Sequence, residues 1–395
     1  MRLVANPSSV TRKHRESKFP NFQNCGNLVV DAPTLPKKAV PLRKHRKLSY
    51  FLGATAALII TSLLAITALV TYRLDALKLS SKQTGDPELA KVLQANAKTG
   101  THQITALCVT PNATRAAGLG FTEHSPVDIG SITKTFTAEL LRKSESLTEE
   151  TTIGEALLPH HETLRISPQT ITESPLASRT LGELARHTSG LPRLAGISAT
   201  TIYTSVFFNT NPYAGISRED VITAALQSPL TNIGTENYSN VGMALLGQLL
   251  ALDAGTTYAD LLQTSLLTPL GMSETALLAH TDDYPTATGY DEFGRAAATW
   301  EMDGYQPAGA LRSTARDMRR WIDYLIEHGT PDYTWAPAKQ GMVWHDGGTG
   351  GFRSILVIHP QSRQGVFLAA DTAAAELEHV AFTILDSCTD PSGRT

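Results

Sequence analysis

The sequence predicts an α+β fold: an antiparallel five-stranded sheet flanked by N- and C-terminal helices, a helical lobe inserted in its middle, and one transmembrane helix ahead of it all. Three observations predict it. An uncharged run from Tyr50 to Tyr72 precedes every segment with globular patterning. One helix signal and a two-strand signal open the body, and three more strand signals appear only near its end. Between them, over residues 136–270, helix and loop patterns dominate.

Residues 1–48 carry scattered Pro, Ser and Lys with no apolar period, which reads as a disordered tail. Residues 49–72 read as the membrane anchor. As a helix, the uncharged run from Tyr50 to Tyr72 spans about 34 Å, matching a hydrocarbon core of about 30 Å. Tyr50 and Tyr72 fall where amphipathic rings favour the two interfaces. The preceding Arg43-Lys44-His45-Arg46-Lys47 holds its flank in the cytoplasm by the positive-inside rule, so the body is exported. A cleaved signal peptide has a shorter apolar region and a much shorter leader. A buried core helix of this length normally carries polar interruptions.

Residues 73–85 read as a polar linker, and residues 86–395 as one domain. Asp86-Pro87-Glu88 opens a helix with an N-cap acceptor, a proline at the first helical position and an acid in the first turn. Leu89, Val92 and Leu93 give that helix its apolar face. Ile104 to Thr110 and Arg115 to Phe121 predict a hairpin around Pro111-Asn112. Met342 to His345, Phe352 to His359 and Gly365 to Ala370 predict three strands, and a helix over Ala374 to Leu385 closes the body.

Charge is distributed unevenly. Residues 1–48 hold eleven Lys/Arg against two Asp/Glu, a balance of +9; the whole chain sums to −3, so the remainder carries −12. The basic residues are local in sequence, the body repels phosphate, and no aromatic-basic pattern accompanies them, which excludes nucleic acid as a partner. The three cysteines, Cys25, Cys108 and Cys388, have no zinc or redox spacing. Two buried thiols are the default for Cys108 and Cys388, and a disulfide between them is the alternative. The histidines form no metal spacing, so no metal and no cofactor are expected.

Chemistry concentrates in three stretches. In Gly130-Ser131-Ile132-Thr133-Lys134, a serine at a helix start lies near the positive end of the dipole. Lys134 follows one turn later on the same face. A lysine in a dry pocket has its ammonium disfavoured and can take the serine proton. An N-cap serine beside a solvated lysine is the competing reading of those two residues alone. Asn237-Tyr238-Ser239-Asn240 adds a phenol for proton transfer and an amide to orient a carbonyl. Trp344-His345-Asp346-Gly347-Gly348-Thr349 sits at a strand end, where glycines let a substrate backbone approach.

With these motifs in order, the chain resembles the serine β-lactamase and penicillin-binding protein superfamily, nearest to its branch of class C β-lactamases, D-alanyl-D-alanine carboxypeptidases and esterases. His187-Thr188-Ser189-Gly190-Leu191-Pro192, Pro269-Leu270-Gly271-Met272 and Pro307-Ala308-Gly309-Ala310-Leu311-Arg312-Ser313-Thr314 resemble the branch as well. The resemblance covers residues 86–388. It implies that Ser131 forms an acyl-enzyme, that Lys134 and Tyr238 share the proton transfers, and that the Ser131 and Gly348 N–H groups form the oxyanion hole. It further implies that His345 polarises Tyr238 or meets a substrate carboxylate. Asn240, Asp346, Gly347, Gly348 and Thr349 are the expected substrate contacts. The implied substrates are small molecules or peptides: cell-wall-like D-amino-acid peptides, β-lactams or esters. The lipid bilayer is the other partner, through residues 50–72. An esterase of the same fold and a non-hydrolytic penicillin-binding sensor are the alternatives.

Asp346 departs from the pattern, because carboxylate-binding relatives place a hydroxyl there. An anion beside a substrate carboxylate repels it. Either the substrate differs or Asp346 points out of the cleft. His187 reads as a loop brace, Met272 as core, and Thr314 with Asp317 as a capping box. No Gly-x-Ser-x-Gly elbow occurs.

Overall fold

A computed structural model describes residues 43–97, 100–277 and 288–389. Most of the basic tail therefore lies outside the described residues. Helix α1 spans Arg43–Ala76, and its Ala54–Ala76 portion, with mean hydropathy 2.1, is long and apolar enough to cross a membrane. Met1–Thr61 and Ser62–Thr395 separate as two units.

In the larger unit, β1 (Gln83–Gly85) leads into α2 (Pro87–Asn96), where the Asp86 carboxylate accepts from the Leu89 N–H at 2.8 Å. The hairpin follows as β2 (Ile104–Val109) and β3 (Thr114–Leu119), with Ile104 opposite Leu119 and Val109 opposite Thr114. A short β4 (Val127–Asp128) precedes α3 (Thr133–Lys143). The inserted lobe includes α4 (Ala199–Phe208) and the almost wholly buried α5 (Asn240–Asp253). After β5 (Ala276–Leu277) and β6 (Leu311–Ser313) comes α6 (Ala315–His328). Then follow β7 (Ala336–Pro337), β8 (Val343–Gly348), β9 (Arg353–His359), β10 (Gln364–Ala370) and α7 (Glu378–Thr389).

The main sheet runs β1-β3-β2-β10-β9-β8-β7, antiparallel throughout, and β4-β6-β5 form a second small sheet. Seven strands replace the five expected. The two additions are its edges, and neither carries an apolar alternation: Gln83-Thr84-Gly85 is polar, and Ala336–Pro337 is a two-residue edge where a proline does no harm. Thus the end of the expected linker is already part of the sheet, and α1 runs on to Ala76.

Both faces of the sheet are covered, which is why its inner strands are continuous apolar runs. Leu356 and Ile358 of β9 face the core shared with the helical lobe, α3 and α6. Their neighbours Ile355 and Val357 face the core shared with α2 and α7. The period of two thus splits each strand between two cores. The terminal helices share one face, as the sequence order predicts.

Three local readings change. The last helix starts at Glu378, because the Ala373 N–H donates to the Tyr290 carbonyl and the Ala375 N–H to the Thr372 carbonyl, holding the alanines in a turn. Thr314 caps α6 through the Asp317 N–H at 3.2 Å. The Asp317 carboxylate does not reciprocate; it accepts from the Glu274 N–H and the Thr275 hydroxyl. Cys108 on β2 and Cys388 on α7 are joined as a disulfide, their Cα atoms 6.6 Å apart, in place of two free thiols. Met272 is fully buried in the core.

Candidate active site

The segment before the candidate nucleophile is held by pairing and by a buried charge. β4 sets Val127 opposite Ser313 and Asp128 opposite Arg312, and the Ile129 N–H donates to the Leu311 carbonyl at 3.0 Å. Arg312 donates through Nε and Nη2 to Asp128 Oδ1 at 2.9 and 2.6 Å, with both side chains buried. The Thr349 hydroxyl donates to the other Asp128 oxygen at 3.2 Å. One carboxylate therefore ties together β4, β6 and the end of β8. Breaking such a pair strands a buried charge and costs about 3–5 kcal/mol.

Gly130 then turns the chain with φ +50°, and a Cβ there would lie 2.6 Å from the Gly348 nitrogen. Only glycine lets the Ser131 turn press so close against β8. Ser131 sits in a short 3-10 turn, Gly130–Ile132, that runs straight into α3. Lys134, one turn along, is wholly buried, and its Nζ lies 2.9 Å from Ser131 Oγ and 2.5 Å from the Ala308 carbonyl. Burial pushes the amine well below its ordinary range; the Arg193 charge lowers it further, and Asp346 opposes. A neutral amine at hydrogen-bond distance from a hydroxyl is equipped to accept its proton.

Tyr238 arrives by another route. It precedes α5 in a loop fastened to residues 187–193. The Asn237 N–H donates to the His187 carbonyl at 2.8 Å and the Ser239 N–H to His187 Nδ1 at 3.2 Å. The Ser239 hydroxyl donates to the Pro192 carbonyl and caps α5 through the Gly242 N–H, while the Asn240 N–H donates to the Arg193 carbonyl. The His187 ring also lies 4.7 Å from the Tyr238 ring. Burial, with the Lys134 charge adding to it, depresses His187 to about 3, so it stays neutral and its Nδ1 remains an acceptor. The expected loop brace is what the geometry provides.

Burial raises the Tyr238 phenol, and a polar contact with the Ser131 side chain works the other way. Lys134 Nζ and Arg193 Cζ stand 5.0 and 5.1 Å from its ring centroid. Serine, lysine and phenol thus share one cluster. The Asn240 Oδ1 is buried beside it and accepts no hydrogen bond among the described residues.

On β8 the side chains alternate. His345 turns inward, buried, its ring centroid 6.4 Å from that of Tyr238. Its Nδ1 donates to the Asp346 carbonyl at 2.6 Å, and burial together with the Lys134 charge holds it down to about 4. Asp346 turns outward and is exposed. Gly347 is a close-packing glycine, since a Cβ would lie 1.9 Å from the Ile129 carbonyl oxygen. Of the expected substrate contacts, Asn240, Gly348 and Thr349 line a cavity of about 290 Å³ with Ser131, although the Thr349 hydroxyl is engaged by Asp128. Asp346 lines a second pocket of about 420 Å³ with Tyr238 and His345.

Sequence reasoning missed Asp128 and Arg193. Asp128 lies three residues ahead of Ser131, where a buried acid gives no periodic signal. Arg193 directly follows the His187–Pro192 stretch that had been singled out.

A sequence model of the Beta-lactamase family matches residues 92–332. Penicillin-binding protein 4* of Bacillus subtilis is 24% identical over 48% of this chain and 51% of its own length. Beta-lactamase-like protein 2 of Dictyostelium discoideum is 28% identical over 52% of this chain and 36% of its own. The chain thus spans about half, or less, of these curated relatives. The fold matches a beta-lactamase/D-alanine carboxypeptidase from Pseudomonas syringae with TM-score 0.61 and 16% identity, over 83% of this chain and 100% of that one. It also matches a class C beta-lactamase from Rhodobacter sphaeroides with TM-score 0.59 and 19% identity, over 76% and 97%. The family model covers more than half of the chain and the fold agrees with it: the chain belongs to the beta-lactamase family.

Proposed function

We propose that the protein is a membrane-anchored serine acyl hydrolase that works outside the cytoplasm on D-amino-acid peptides or related amides and esters. The observation that carries this reading is the buried Lys134 amine 2.9 Å from Ser131 Oγ. As the Ser131 oxygen bonds to the substrate carbonyl carbon, its proton passes to Lys134. Lys134 passes that proton through the Tyr238 hydroxyl to the departing atom, so that both end the step as they began, and water later releases the acyl group along the reverse path. The N–H groups of Ser131 and Gly348 receive the developing oxyanion, an arrangement worth about 3 kcal/mol per donor. Asn240 holds the substrate amide, and neutral His345 keeps the inner wall of the cleft uncharged. The 23-residue apolar stretch Ala54–Ala76 supports an uncleaved anchor, and the basic residues before it support a cytoplasmic N-terminus.

The test is incubation of the full chain in detergent with a reporter penicillin, D-alanyl-D-alanine peptides and simple esters. Intact mass and turnover are then followed for wild type and Ser131→Ala. Wild type should form an acyl adduct or turn over one of these classes, and the variant should do neither. A surviving adduct in Ser131→Ala would remove the assigned nucleophile.

A further inference from the structure

Two separate pockets adjoin the Ser131–Lys134–Tyr238 cluster, and the candidate catalytic groups divide between them. Ser131, Asn240 and Gly348 line the cavity of about 290 Å³, while Tyr238 and His345 line the pocket of about 420 Å³. In acyl transfer the group that leaves must depart toward the proton donor. If Tyr238 is that donor, the acyl part lies in the smaller cavity and the leaving group in the larger pocket.

Tyr333, Trp335 and Trp344 line the larger pocket with Tyr238, and the Arg186 guanidinium lies 5.2 Å from the Tyr333 ring centroid, which leaves the two tryptophans as its aromatic faces. Its charges are Asp346, Glu236 and Asp332 against Arg186. Arg186 is already shared between Asp332 at 2.9 Å and Glu149 at 2.6 Å. Asp346 and Glu236 are exposed and have no cation partner among the described residues. A second observation points to a ligand. His187 is 95% buried and lines this pocket; its Nδ1 accepts from the Ser239 N–H, so the proton sits on Nε2, which has no partner among the described residues. An unpartnered buried donor in the wall of a pocket can hydrogen-bond an acceptor atom of a group seated there. Arg193, the exposed cation nearest Tyr238, lines the smaller cavity.

We propose that this pocket is the leaving-group subsite and that it selects leaving groups carrying a positive charge, seated between the aromatic faces and the Asp346 and Glu236 carboxylates. The proposal rests on the acyl-hydrolase reading and names its substrate class: acyl donors whose departing amine, alcohol or thiol portion is cationic. In the step itself the Ser131 oxygen bonds to the carbonyl carbon and its proton moves to Lys134. The bond from that carbon to the leaving atom breaks with its electron pair on the leaving atom, which takes a proton through Tyr238. Cation–aromatic attraction and a nearby free carboxylate together favour such a group by about tenfold over a neutral one.

The test uses the full-length chain in detergent and three acyl-D-alanyl thioesters with one acyl group. Their leaving thiols are thiocholine, mercaptoethanol and mercaptopropionate, and each kcat/KM is divided by the rate of hydroxide-catalysed hydrolysis. A phosphonofluoridate, whose leaving group is fluoride, reports Ser131 nucleophilicity independently. The expected order is thiocholine about tenfold above mercaptoethanol, with mercaptopropionate lowest. Asp346→Asn should shrink the thiocholine preference to about twofold, Glu236→Gln should reduce it less, and Asp346→Lys should invert it. Turnover of all three thioesters without charge preference, or with mercaptopropionate preferred, overturns the proposal and leaves the hydrolase reading standing. Absence of both phosphonate labelling and turnover overturns the hydrolase reading and this proposal with it.

Discussion

The two halves of the catalytic cluster are held in place by opposite means. Ser131 and Lys134 sit one turn apart at the start of α3, so helix geometry alone brings the amine to 2.9 Å from the hydroxyl. Tyr238 and Asn240 lie more than a hundred residues further on, in a loop set by its bonds to His187, Pro192 and Arg193. The first half is local and held by its helix, with Lys134 wholly buried. The second is assembled from two loops, fastened at His187, Pro192 and Arg193. The comparison teaches that the proposed proton acceptor is fixed by the helix and the proposed donor by tertiary contacts, so the two should fail differently when disturbed.

Four changes break or sharpen that contrast, in descending effect on acylation. Lys134→Ala removes the base from the helical half and should lower the acylation rate about a thousandfold, measured by stopped-flow labelling. Tyr238→Phe keeps the ring packing and removes the donor; kcat should fall about a hundredfold, with KM little changed. His187→Ala leaves the Ser239 N–H without its acceptor and frees the Tyr238 loop. It should reduce kcat about tenfold and lower stability by about 1–3 kcal/mol in denaturant titration, with phosphonate labelling of Ser131 less affected than ester turnover. Cys388→Ala removes a bridge between residues 280 apart, remote from the cleft. It should cost about 2–4 kcal/mol in unfolding while acylation stays unchanged.

The same contrast governs what could be read from the sequence. The Ser-x-x-Lys spacing states its own geometry, and the hairpin, β8 to β10 and both terminal helices follow from periodicity and capping. β1 and β7 were illegible because two or three polar or proline-bearing residues have no period. The small sheet β4-β6-β5 was missed because its strands are two or three residues long and far apart in the chain. Asp128 and Arg312 illustrate the harder case: each looks like an ordinary surface charge until folding buries them against one another. Asp346 was ambiguous for a similar reason. Only the register of β8 reveals that His345 is buried and Asp346 exposed, since a one-residue shift exchanges them.

The account depends on Lys134 being an uncharged amine at neutral pH, because an ammonium cannot take the Ser131 proton. The most direct measurement is the pH dependence of Ser131 phosphonylation by the neutral phosphonofluoridate, from pH 4 to 11, on wild type and Tyr238→Phe. Burial depresses the Lys134 pKa well below its ordinary 10.5, so the rate should rise with an ionisation far below that value and be flat above it. The same rise should persist in Tyr238→Phe at lower amplitude. A rate that is negligible at neutral pH and still climbing toward pH 10.5 would mean a charged lysine, and would contradict the mechanism.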